Sequence, residues 1–175
     1  MKKKKSEPGN GYKIKKSKGF ISMFLGGKAG KNNTPAQSDS LAINNLLALL
    51  RPNENKQLKE DALRELKSEA GKELLLKAIA VSKDVNDTRI LVAACWEAGL
   101  DFTKFVSFFV QLAIISEIDI CLDALTIIED MQGPFENRSL LDCIKKLEEA
   151  RTNSKEQKAA LLSEIITNLE RNLTN

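Results

Sequence analysis

Residues 81–99 read "VSKDVNDTRILVAACWEAG", and how this stretch folds decides the architecture of the whole chain. Between Val85 and Ala98 there is neither Gly nor Pro. The apolar residues recur at helical intervals instead of alternating, so the segment predicts one α-helix ending at Gly99. The same pattern holds outward in both directions. "SDS" at 38–40 offers N-cap oxygens ahead of "LAINNLLALL", and Pro52 stops that helix. Further helices are predicted near 55–69, 72–82, 85–98, 102–115, 117–131, 137–151 and 154–172, with Gly71, Gly99 and Gly133 as natural ends. The connections are short, which makes consecutive helices antiparallel neighbours in an all-α fold.

Self-similarity follows at a spacing of 31 residues. In the first helix of each hairpin the columns are Ile43/Leu74/Phe105, Leu47/Ala78/Phe109 and Leu50/Val81/Leu112; in the second they are Ala62/Ala93/Ala124 and Leu63/Ala94/Leu125. The column Leu66/Glu97/Ile128 breaks the pattern. Six helices thus group into three hairpins, about 41–69, 72–99 and 102–132, followed by a terminal pair over 137–174 that caps the stack. A single hairpin cannot hide its own apolar stripe, whereas stacked hairpins bury one another's.

On these residues the segment 81–99 resembles the turn and second helix of a HEAT repeat, with Asp84, Arg89, Ala93 and Ala94 in the matching positions. Residues 102–131 repeat the hairpin, but Ile120 stands where the resemblance calls for Arg, and the first-helix Pro is missing. The likeness spans about residues 41–132. It implies a right-handed α-α superhelix of HEAT-like (HEAT/armadillo-type) helical hairpins over 38–175 and leaves function open.

Trp96 is the chain's one tryptophan. On a helical wheel centred on Ile90, Ala93, Ala94 and Glu97 it falls about 110° away, beside Arg89 and Val92. Two readings follow: packing against the next hairpin, or contact with a ligand. With the equivalent positions one hairpin on, the candidate partner-binding set is Arg89, Val92, Trp96, Asp123 and Ile127. Glu97, on the expected apolar side, has Arg89, Lys104 or solvent as its outlets. The acids Glu117, Asp119, Asp123, Glu129 and Asp130 read either as solvated charge or as an attractor for a basic peptide. The stripe Leu162, Ile165, Ile166, Leu169 and Leu173 reads as packing on the preceding helix or as a dimer seam.

Charge divides the chain. Residues 1–37 carry ten Lys against Glu7, a net +9, while the remainder, with 17 basic and 23 acidic residues, is −6. Low hydropathy and many Lys, Gly, Ser and Asn make residues 1–37 an expected disordered basic arm. Within it the apolar island "FISMFL" at 20–25 is flanked by Lys. Candidate contacts are Lys15, Lys16, Lys18, Phe20, Ile21, Phe24 and Leu25, made with a protein (this chain's own acidic body included), with an acidic membrane surface, or with nucleic acid. The island is too short and too far along the chain for a secretory signal.

Chemistry is sparse. His is absent, and Cys95, Cys121 and Cys143 sit in helical apolar patterns without metal spacing, which predicts buried filler in a reducing cytoplasm and no metal. "FLGGKAGKNNT" at 24–34 lacks the phosphate-loop arrangement, and Glu148 and Glu149 point in different directions on a helix. "NNT", "NRS" and "NLT" match the glycosylation pattern, which matters only in a secreted chain. "FVSFFVQLAIIS" at 105–116 is shorter than the roughly 20 residues of a bilayer span. The sequence therefore predicts a cytoplasmic, non-catalytic, cofactor-free scaffold or adaptor that binds a protein partner through helix faces, with the basic arm as a second contact. The alternative is peripheral attachment to acidic membrane or nucleic acid through residues 1–31.

Overall fold

The computed structural model describes residues 35–52 and 56–173, with side chains in the first helix from Asp39 onward. The described residues are organised as helices joined by turns and contain no strand. The helices are α1 (Pro35–Leu50), α2 (Lys56–Glu65), α3 (Glu69–Val81), α4 (Val85–Glu97), α5 (Val106–Ile115, preceded by a 3-10 turn over Thr103–Phe105), α6 (Ile118–Glu129), α7 (Asn137–Thr152) and α8 (Glu156–Leu173). Helix α1 starts at Pro35, so "SDS" lies within it. Proline suits the first helical position because its fixed φ is already helical and its missing N–H has no partner there.

Local capping explains the boundaries. The Ser68 hydroxyl accepts from Gly71 N–H at 3.0 Å and starts α3; the Asp84 carboxylate accepts from Asp87 N–H at 2.9 Å and starts α4. At the far end of α4 the chain turns through Gly99 at φ +60°. Its N–H reaches the Trp96 carbonyl at 2.9 Å and that of Leu100 the Cys95 carbonyl at 3.3 Å, the paired bonds of a Schellman ending. Gly71, expected to end a helix, instead lies in the first turn of α3. An added Cβ there would sit 2.7 Å from the Leu66 Cα and carbonyl oxygen, so its role is close approach to the end of α2.

Sequential helices pack as pairs, α1 with α2, α3 with α4, α5 with α6 and α7 with α8. The pairs then lie on one another: α1 touches α3 and α4, α4 touches α6, α5 touches α7, and α6 touches α8. One apolar core runs through all of them, with Leu47, Leu75, Leu91, Phe109, Ile128, Leu140 and Ile165 among its buried side chains. The terminal pair is bound into it: the Lys158 ammonium on α8 donates to the carbonyls of Ile114, at 2.7 Å, and Ser116, neutralising the negative end of α5. The 31-residue register drifts, since the C-caps Ser82 and Ser116 of α3 and α5 lie 34 positions apart.

Candidate functional site

Two surface regions collect the side chains of interest, and they lie at opposite ends of α4 and α6. At one end the Schellman turn after α4 and the chain leaving α6 enclose a pocket of about 320 Å³ lined by Trp96, Gly99, Leu100, Asp101, Ile127, Asp130 and Gln132. Trp96 is 43 % exposed, whereas Ile127 opposite it is buried. The indole thus keeps much of its surface in water beside an apolar floor and polar neighbours. Asp101 is fixed by Thr103, whose hydroxyl and N–H both donate to its carboxylate, at 2.6 and 2.9 Å. These bonds, the hydroxyl's first, hold the Asp101 carboxyl below its usual range.

Along the seam between α4 and α6, Arg89 pairs with Asp119 at 3.1 Å, with both side chains about half in water. Such an exposed pair contributes at most about 1 kcal/mol. Asp123 lies close enough to feel Arg89. Partial burial nevertheless raises its carboxyl above the usual value, more than Arg89 lowers it, and Asp119 adds to the rise.

The structure thus brings three of the five expected contact residues, Arg89, Trp96 and Asp123, to the surface of α4 and α6, while Ile127 is buried beneath the Trp96 pocket that it helps line. It does not bring Val92 to the surface either. Val92 is fully buried, because the core of α4 is Leu91, Val92, Ala94 and Cys95 and not the set centred on Ile90. This turns the buried face well away from expectation. The cause is that α4 is covered on two sides, by α1 and α3 and by α6, so more of its circumference is interior than a one-sided stripe allows. Glu97 accordingly faces outward and pairs with Lys59 on α2 at 2.6 Å, not with Arg89 or Lys104. The acidic residues of α6 do not gather. Glu117 and Asp130 flank its two ends, roughly 20 Å apart at the helical rise. The stripe of α8 is covered within the chain, with Leu162, Ile165, Ile166 and Leu169 buried against α7 and α6, which removes the dimer seam.

The second region was not legible as a site. Helices α4 and α6 pack closely, with the small residues Ala94 and Cys95 buried on one and Cys121 and Ala124 on the other, while α3 and α5 are not among the closely packed pairs. Around α5 sits a cluster of phenylalanines, Phe102, Phe105, Phe108 and Phe109, with Phe102 and Phe109 edge-to-face at 5.1 Å and Phe108 and Phe109 at 5.3 Å. Bulky side chains on one side and small ones on the other splay the two pairs. The result is a groove of about 480 Å³ between the α3–α4 and α5–α6 turns, lined among others by Ile79, Val85, Phe108, Gln111 and Ile115. Of its aliphatic lining, Val85 is 52 % and Ile115 69 % exposed. The signal available in the sequence was an apolar residue on both sides of each turn, where polar punctuation is the rule.

All three cysteines are buried and unpaired, and burial pushes the Cys95 and Cys121 thiols up. Among the described residues no group of three His, Cys, Asp or Glu side chains is placed to hold a metal, and no helix is long and apolar enough to cross a membrane. The expected arm contacts Lys15, Lys16, Lys18, Phe20, Ile21, Phe24 and Leu25 lie outside the described residues. No protein-family model, no curated protein and no solved structure matches the chain.

Proposed function

We propose that this chain is a non-catalytic scaffold or adaptor, a HEAT-like α-α superhelix whose outer helix faces recognise a protein partner. The observation that carries the proposal is the half-exposed Trp96 over the pocket that Ile127, Asp130 and Gln132 share with it. Leaving an indole in water forgoes burial worth on the order of 2 kcal/mol, and a partner covering it recovers that term. Pair-on-pair packing supports the repeat reading: α1 meets α3 among the first helices, and α4 meets α6 and α6 meets α8 among the second. In this reading the α7–α8 pair is the terminal member of the stack, and the basic arm supplies the second contact.

The test is affinity capture from the source cell with the full chain, the Trp96→Ala variant and a Leu141→Ala variant. Leu141 is exposed on α7 and serves as a control. The expected result is a captured protein that Trp96→Ala loses at least tenfold and Leu141→Ala keeps. A captured set that Trp96→Ala leaves unchanged contradicts the proposal.

A further inference from the structure

We infer that the Trp96 pocket takes a cationic side chain of the partner, the ammonium of a Lys or the guanidinium of an Arg. This rests on the reading of Trp96 as a partner contact and adds what the partner must present. The pocket is walled by one indole and two carboxylates, Asp101 from the turn after α4 and Asp130 from the end of α6, and its lining contains no basic residue. An indole face attracts a cation within about 6 Å of its centre, and a carboxylate accepts hydrogen bonds from that cation's N–H groups. A space of about 320 Å³ is about 8 Å across, so one charged group near its middle reaches all three walls.

The ion pairs around the pocket select this occupant. On α4 and α6, Asp87 is paired with Arg51 at 2.7 Å, Glu97 with Lys59 at 2.6 Å and Asp119 with Arg89 at 3.1 Å. Asp101 and Asp130 have no cation in pairing distance among the described residues, although Glu97, next to Trp96 in the chain, does. The bonds from Thr103 keep Asp101 charged at neutral pH. Lys72 and Lys104 act on Asp101 more weakly, neither lines the pocket, and Lys72 is itself paired with Glu69 at 3.0 Å. Asp130 caps the C-terminus of α6, where the negative end of the helix dipole adds to its charge. The lining thus offers negative charge and an aromatic face with no cation to satisfy them. That is the complement of a basic side chain and the reverse of what an acidic group needs.

The experiment titrates the full chain at low salt with two capped ten-residue peptides, one alternating Lys with Ser and one alternating Arg with Ser, following Trp96 emission. A counterpart with Gln in place of the cations serves as the neutral control. A saturable change in emission is expected with a cationic peptide and not with the Gln peptide. Asp101→Asn and Asp130→Asn are each expected to weaken binding about fivefold, and Asp142→Asn, exposed on α7, to leave it unchanged. The Asp130 carboxylate accepts no hydrogen bond among the described residues, so Asp130→Asn removes its charge without loosening the fold. Emission that neither cationic peptide changes up to millimolar concentration overturns the inference. So does binding that both Asn variants leave at the parent affinity. A captured partner that Trp96→Ala loses and the chain with both Asn substitutions keeps leaves the Trp96 reading standing and overturns this one.

Discussion

Gly71→Ala separates close packing from helix propensity by the sign of its effect. Gly71 is the third residue of α3, and in an ordinary helix the change to Ala stabilises by about 1 kcal/mol. Here the new Cβ would lie 2.7 Å from the Cα and carbonyl oxygen of Leu66, about 1 Å inside ordinary contact. Those atoms are backbone, Leu66 is fully buried, and its N–H is held by the Ala62 carbonyl at 3.1 Å, so no side chain can swing aside. The start of α3 must move off the end of α2, at an overpacking cost of about 2–3 kcal/mol. Subtracting the propensity gain leaves a net loss of about 1–2 kcal/mol. For a domain of this size that lowers Tm by roughly 2–8 °C in a thermal melt followed by circular dichroism. A Gly71→Ala chain that melts at or above the parent temperature refutes the reasoning.

Gly99→Ala is the complementary case: nothing lies within 4 Å of the added Cβ, but φ is +60°, so the loss is backbone strain alone, about 1–2 kcal/mol in denaturant titration. Lys158→Ala removes the ammonium that closes the carbonyl end of α5 and is expected to destabilise by about 1 kcal/mol, with Lys158→Arg recovering part of it. Asp123→Asn is expected to stabilise near neutral pH, because partial burial penalises the Asp123 carboxylate and raises its folded-state pKa. Native Asp123 therefore binds its proton more tightly than the unfolded chain does. The penalty is fully present above the raised folded value and vanishes below the unfolded value of about 4, so the two chains' denaturation midpoints converge as pH falls through that window.

Helix existence was legible because spacing, proline and glycine agree along the chain, and Pro52 and Gly99 end helices as their chemistry requires. Gly71 was misread because a glycine near a boundary signals a turn in sequence but can equally mark where two backbones touch. The face of α4 was misread for a related reason: periodicity reports a stripe, and a helix covered on two sides has no single stripe, so Val92 went inside and Glu97 outside. Trp96, which the sequence left open between packing on the next hairpin and exposure, is exposed, since it lies far from the observed core centre of α4. The groove at the turns depends on how far α3 stands from α5, a property of the phenylalanines around α5 and the small residues between α4 and α6 together. No single segment of the sequence carries that distance.

Because Trp96 is the only tryptophan, its own emission tests the central proposal most directly. Titrating the full chain with the partner isolated by capture is expected to shift that emission to shorter wavelength and to protect it from iodide quenching as the indole leaves water. A partner that binds to saturation while the emission and its quenching stay those of the free chain would contradict the account.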